Sequence, residues 1–306
     1  MGRVQRSLGD LFEIFVAYDK IHRFKHRLVA EYQTIYAELL KSLLDGPLIH
    51  IDETTVNLVG STGYVWVLAS LDRVYYFYRP SREGKFLSEM LKPFSGVLVS
   101  DFFTAYDPLD CAQQKCLVHL IREIDDDLLR NPLDEELRTL AHDFGTLLRR
   151  VIETVDHYGL KKRYLHKHAK EVRRFLHDVK ARTCSSLIAS KYRKRFQSTG
   201  AKMFTFLEYD GIPWNNNNAE HAIKRFAKYR RDADGRFTEQ SLKDYLVLAS
   251  VLETCEFNNV NVLRFLLSGE KTLAGLLKMA GRRAEIPGTT KDAITGEESS
   301  LSEKSG

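Results

Sequence analysis

Strand-like patterning in this chain is confined to residues 48–119 of 306, with long helical stretches on either side. A sheet drawn from so short a window must be built from sequence neighbours and covered by helices, which points to an α/β class. Leu48-Ile49-His50-Ile51 runs into Asp52, and residues 54–59 continue extended. Gly60-Ser61-Thr62-Gly63 is the expected turn before a second run at 64–68, and a turn near Asp72 precedes a third at 74–78. These three runs predict an antiparallel meander. Residues 83–92 suit a short helix. Residues 96–100, Gly-Val-Leu-Val-Ser, are apolar on both faces, as expected of a strand at the centre of a covered sheet, and end at Asp101. Cys116-Leu117-Val118-His119 reads as a fifth short strand running into a polar helix.

The flanks carry the other periodicity. Ile21, Phe24, Leu28, Tyr32, Ile35, Leu39 and Leu43 recur at three- and four-residue steps, predicting one long helix over 4–44 that Pro47 ends. Residues 120–205 are helical in pattern, charged and poor in Gly and Pro. Gly211 and Pro213 break the pattern before further helices at 216–231 and 240–267, and the polar stretch from Arg282 predicts a disordered tail. No apolar stretch approaches the roughly 20 residues that cross a bilayer. The acidic residues in the apolar N-terminal stretch argue against a secretory signal, and Arg6 against myristoylation. Four cysteines, Cys111, Cys116, Cys184 and Cys255, without a CxxC pair suit a reducing cytoplasm. The net charge is +5, yet residues 161–195 alone hold thirteen Lys or Arg against Glu171 and Asp178, leaving the remainder at −6. Such asymmetry suits a polyanionic partner, the plain alternative being a solvated helix face.

The acids suggest what is done to that partner. Phosphodiester cleavage needs an activated nucleophilic oxygen, a stabilised leaving oxygen and in-line geometry, which two divalent ions about 3.5–4 Å apart supply. Mg²⁺ (or Mn²⁺) takes oxygen ligands and keeps several waters, so a few carboxylates at rigid strand ends suffice. Asp52 and Asp101 each follow an apolar strand run; singly, each reads equally well as a turn former. Asn215, Asn216, Asn217 and Asn218 should open a helix with Glu220 in its first turn, where the helix N-terminus favours a carboxylate. Lys224, Arg225, Arg230 and Arg231 follow on that helix, placed to meet phosphates, and Arg173, Arg174, Arg193 and Arg195 lie in the basic segment. The bland reading of the helix is a capped surface amphipath.

Ile51-Asp52-Glu53-Thr54, the run from Gly96 to Asp101 with Ala105-Tyr106, and Asn217-Asn218-Ala219-Glu220 together resemble the DDE transposases of bacterial insertion sequences, most closely the insertion-sequence-66 group. Cys116-x-x-His119 with Arg122 is similar to a signature that several such families carry after their second Asp, and Asn258-Asn259-Val260-Asn261 is similar to that group's ending. The resemblance, over roughly 45–268, implies an RNase H-like mixed five-stranded sheet with flanking helices, interrupted by an all-helical insertion. The parts would be an N-terminal helical segment (1–45), a catalytic core in two pieces (46–122 and 213–268), a basic helical insertion contacting DNA (123–212), and a helix end with a tail (269–306). It further implies Asp52, Asp101 and Glu220 as metal ligands, strand cleavage at transposon ends followed by transfer to target DNA, and a homodimer or higher assembly on DNA. His221 stands where the group usually has Arg, and no cysteine precedes Cys111 to form a zinc-bearing end-recognition region. The alternatives are a truncated or non-catalytic DNA-binding relic and an RNase H-like nuclease without strand transfer.

The remaining chemistry-bearing residues have plainer readings. Cys116 and His119 lack a second pair of zinc ligands at a plausible spacing, so a strand-to-helix corner suits them as well. Glu53 alternates to the face opposite Asp52 and reads as structural. His166, His168 and His177 extend the basic surface, while Tyr75, Tyr76, Tyr78 and Trp214 read as packing rather than base-stacking platforms.

Overall fold

The structure is a computed structural model and describes residues 2–233 and 235–281. Helices α1 (Gly2–Phe12) and α2 (Tyr18–Leu44) precede strands β1 (Leu48–Leu58), β2 (Ser61–Ala69) and β3 (Val74–Arg79). Helix α3 (Lys85–Met90) leads to β4 (Val97–Ser100) and β5 (Ala112–Lys115). Five helices follow: α4 (Leu117–Arg130), α5 (Glu135–Tyr158), α6 (Lys162–Leu165), α7 (Ala169–Ala181) and α8 (Leu187–Met203). The described chain closes with α9 (Asn217–Ala233), α10 (Glu239–Phe257), α11 (Val262–Ser268) and α12 (Leu273–Gly281). The tail expected from residue 282 lies outside the described residues.

The strands form one mixed sheet in the order β3-β2-β1-β4-β5, with β1, β2 and β3 antiparallel and β4 and β5 parallel to β1. Alternation along β1 divides its side chains between two cores. Ile49 and Ile51 enter one with Tyr32, Ile35, Leu39 and Leu43 of α2, Trp66 and Leu68 of β2, and Phe265 of α11. Leu48 enters a second with Val97, Val99 and apolar residues of α4, α5, α7 and α8, so that helical run shares a core with the sheet. A third core packs Ala219, Ala222 and Phe226 of α9 on Val56, Val65 and Val67. Burying an aliphatic or aromatic side chain contributes roughly 1.5–3 kcal/mol, so these layers supply most of the drive to fold.

Both sheet edges are covered, each by specific polar groups. Helix α10 lies along β3: Ser250 Oγ accepts the Tyr76 N–H at 2.9 Å and Thr254 Oγ1 the Val74 N–H at 3.1 Å, satisfying donors an edge strand would leave open. The same helix sends Leu242 and Leu246 to one face of the sheet and Val251 and Cys255 to the other. On the far edge, Gln114 Nε2 donates to the Met203 carbonyl at 2.8 Å, its Oε1 accepts the Phe206 N–H at 2.9 Å, and Thr205 Oγ1 donates to the Gln113 carbonyl at 2.7 Å.

That edge corrects a sequence expectation. The fifth strand is Ala112–Lys115, not 116–119; Cys116 is the N-cap of α4, and Leu117, Leu120 and Ile124 form its buried face. The true strand is polar in sequence because its buried Gln side chains bond backbone: Gln113 the Tyr106 and Leu109 carbonyls, Gln114 the end of α8 and the turn that follows. The single helix expected over 4–44 is two, with Glu13 at φ 55° between them. In the anticipated apolar stripe on α2, Ile21 and the residues from Tyr32 onward are buried, whereas Phe24 stays 57% exposed. The first hairpin turns at Val59-Gly60, where Gly60 takes φ +79°, and Ser61 to Gly63 already belong to β2. The helix expected over 240–267 breaks after Phe257, where Asn259 takes φ 54°.

Candidate active site

The pairing of β1 with β4 matches Leu48 to Val97, Ile49 to Leu98 and His50 to Val99. Continued by two residues, that register places Asp101 level with Asp52. On that extension both acids would share the face of Leu48, Val97 and Val99, on strands spaced about 4.8 Å apart. Each carboxylate is fixed locally: Asp52 Oδ1 accepts the Glu53 N–H and Asp101 Oδ1 the Phe103 N–H, both at 2.9 Å. Glu220 arrives from the first turn of α9 and is only 8% exposed.

The electrostatics tie the three acids together. Burial pushes the Asp52 carboxyl up to about 7; the charges of Glu53, Asp101 and Glu220 add to this, against the Glu53 N–H. A half-buried acid beside like charges favours either a proton or a cation. Glu220 Oε2 faces Lys224 Nζ at 3.4 Å and Arg122 Nη1 at 3.7 Å. Its Oε1 is buried without a hydrogen-bond partner and faces His119 Nδ1 at 3.8 Å. The oxygens of Asp52, Asp101 and Glu220 do not all gather within reach of one small ion. Among the described residues the set of three that does is Cys116, His119 and Glu220, whose donor atoms lie within 4.8 Å of one another.

Asn216 holds these parts in place, and the sequence does not single it out from its neighbours. Fully buried, it donates from Nδ2 to the Ile51 carbonyl at 2.9 Å, beside Asp52 on β1. Its Oδ1 therefore faces His50 Nδ1 at 3.1 Å, so that nitrogen carries the proton. Burial lowers the His50 pKa to about 4, keeping the imidazole neutral. The Asn216 N–H donates to Cys116 Sγ at 3.2 Å, and its carbonyl accepts the Glu220 N–H at 3.1 Å. Nothing in a run of four asparagines signals which one is buried.

Other anticipated residues serve the fold. Glu53 lies on the opposite face from Asp52, where Arg82 and the buried Tyr106 hydroxyl donate to it. Arg225 pairs with Glu253 and Glu256, and Arg230 donates to Thr54 Oγ1 at 2.8 Å and to the Thr55 carbonyl. Arg195 pairs with Glu123 at 2.6 Å and lies over the Phe102 ring, while half-buried Arg193 donates to the Arg182 carbonyl at 3.3 Å. Arg173, Arg174 and Arg231 are exposed. His168, expected on the basic surface, is buried and shares a 2.8 Å hydrogen bond with Thr154. Tyr75 and Tyr76 are buried, and Trp214 packs against the helical core.

The family model described as "Transposase IS66 family" matches residues 1–242. The chain belongs to that family. No curated protein matches the chain. The match to the IS66 transposase family spans β1 to β5, α4 and all of α9, and so includes Asp52, Asp101, Cys116, His119 and Glu220. No helix among the described residues is long and apolar enough to cross a membrane.

Proposed function

We propose that this IS66-family transposase cuts and joins DNA strands as a DDE enzyme on an RNase H-like sheet, with α4–α8 as its helical insertion. Asp52, Asp101 and Glu220 would hold Mg²⁺ or Mn²⁺. The observation that supports the reading is that the charges of Asp101 and Glu220 both act on the largely buried Asp52, on strands whose parallel pairing ends two residues before the two aspartates. The residues suit hard divalent cations: the donors are carboxylate oxygens, the ionised Asp52 is disfavoured by burial and then by neighbouring negative charge, and Glu220 Oε1 is buried with no partner. When bound, such ions activate a water or 3′-hydroxyl and stabilise the leaving oxygen.

The chain's own residues supply position and charge. The sheet fixes the two Asp carboxylates, and Asn216 holds the start of α9 against β1, which fixes Glu220. Lys224 and Arg122, both largely exposed, can turn from Glu220 to phosphates beside the site. Joining two ends of one element calls for two copies of the chain on DNA.

The test is cleavage of a plasmid carrying the DNA that flanks the gene, in Mg²⁺. Asp52→Asn, Asp101→Asn and Glu220→Gln keep shape and remove charge, so each should lower cleavage by at least about a thousandfold, on the scale of losing a catalytic group. Unfolding curves and DNA affinity should stay near wild type. Cleavage near the wild-type rate in any one of the three variants strikes that residue from the site. Strand-transfer products separate a transposase from a nuclease of the same fold.

A further inference from the structure

Cys116, His119 and Glu220 bring one sulfur, one nitrogen and one oxygen donor within 4.8 Å of one another. They come from the β5–α4 corner, the first turn of α4 and the first turn of α9. Two of the donors, His119 Nδ1 and Glu220 Oε1, are buried without hydrogen-bond partners and face each other at 3.8 Å. An orphaned buried nitrogen and oxygen side by side is costly, and a shared cation relieves both. The second oxygen of Glu220 is already engaged by Lys224 and Arg122, which leaves Oε1 as the free donor. Cys116 Sγ is fully buried and accepts backbone N–H groups of His119, Asn216 and Val118; burial holds its thiol pKa above the usual value against those three donors, so the sulfur keeps its proton until a metal ion displaces it.

We propose that Cys116, His119 and Glu220 form a three-ligand site for a borderline transition-metal ion of the zinc class. Thiolate with imidazole and carboxylate selects such ions over Mg²⁺, which prefers oxygen alone. On binding, the Cys116 S–H bond breaks, its proton leaves to solvent and a sulfur–metal bond forms; nothing is oxidised or reduced. The His119 side chain is 34% exposed, so a fourth position can be taken by water or by an incoming phosphate oxygen. One consequence rests on the proposed catalytic role of Glu220: an ion held here withdraws that carboxylate from the Asp52–Asp101 pair, so zinc occupancy and Mg²⁺-dependent cleavage exclude each other. The binding itself does not depend on that role.

Titration of the metal-free full chain with Co²⁺, without DNA or Mg²⁺, tests the site through the thiolate-to-cobalt charge-transfer absorption in the near ultraviolet. One Co²⁺ per chain should produce the band and Zn²⁺ should abolish it by displacement. Cys116→Ser, which keeps an acceptor for the Asn216 N–H, should lose the band, whereas Cys111→Ser, Cys184→Ser and Asp52→Asn keep it. His119→Ala and Glu220→Gln should each weaken Co²⁺ binding by at least about tenfold. The His119 variant, at a partly exposed position, carries the test even if the Cys116 variant unfolds. No band in wild type, a band surviving in Cys116→Ser, or unchanged affinity in His119→Ala overturns the proposal. Those failures leave the DDE reading standing, because that reading is decided by strand cleavage in Mg²⁺.

Discussion

Asn216 shows how much one side chain can decide. Its amide spans β1 and His50, while its backbone N–H and carbonyl serve Cys116 and Glu220. Asn216→Ala leaves the Ile51 carbonyl and His50 Nδ1 buried without partners. Each such loss costs about 1–3 kcal/mol, so urea unfolding should show about 2–4 kcal/mol of destabilisation. Asn216→Asp should not rescue it, since a carboxylate cannot donate to the Ile51 carbonyl. A change below about 0.5 kcal/mol for the Ala variant, the range of an ordinary surface substitution, means the amide is not the tie described. The sequence places an asparagine-capped helix start here but does not separate Asn216 from Asn215, Asn217 or Asn218. Burial alone separates them, and burial depends on a strand more than 160 residues away.

At the scale of elements, the parallel pairing of β1 with β4 runs up to two residues before the two aspartates, and Gly96 permits that pairing. The Val97 N–H donates to the Pro47 carbonyl at 2.9 Å, and a Cβ on Gly96 would meet that carbonyl oxygen at 2.5 Å. Backbone on both sides of this close approach cannot move aside cheaply. Gly96→Ala should therefore cost about 1–3 kcal/mol, the usual range for overpacking, and lower cleavage by disturbing the Asp52–Asp101 register. Thermal unfolding together with Mg²⁺-dependent cleavage checks both effects; an unchanged midpoint means β1 and β4 tolerate more separation than this close approach suggests. Helix α2 was legible from apolar residues at three- and four-residue steps, α9 from its asparagine-capped start, and β1 to β4 from short apolar runs bounded by turn residues. Strand β5 was not, because its buried side chains are held by polar bonds rather than apolar packing: Gln113 to the Tyr106 and Leu109 carbonyls, Gln114 to the chain at the end of α8, and Lys115 to Ser100 and Asp107.

Across the whole molecule, the +11 of residues 161–195 divides into two populations. Arg182, Lys191 and Arg195 pair with acids of α4 and α5, holding the helical layer together. Lys170, Arg173, Arg174 and Lys180 on α7 are exposed, and no described acid forms an ion pair with Arg173 or Arg174. We propose that α7 is where this layer meets DNA. Replacing those four by Ala should weaken binding to any duplex and flatten the slope of log affinity against log salt by about 0.9 for each phosphate that is no longer neutralised. The same change at Arg195 should instead destabilise the fold, since it severs the tie to Glu123. Titrations at several salt concentrations decide it, and an unaltered slope makes the α7 cations a solvated face.

The sequence by itself determined the α/β class, the apolar strand runs that lead into Asp52 and Asp101, the helix start that carries Glu220 and the family resemblance; that β1 continues through Asp52 to Leu58 rather than ending there came from the structure. Those that the sequence determined are local: each depends on residue type at a short spacing, and such spacing is what a periodic backbone turns into a face or a cap. Tertiary structure alone decided which cations are free and which hold α8 against α4, because an ion pair depends on what lies opposite in space. It also decided that Cys116 and His119, which looked like half of a zinc site in search of a second pair, find a third donor in Glu220. That carboxylate lies about a hundred residues onward, and only the packing of α9 against β1 and β2 brings its unpartnered oxygen to the imidazole.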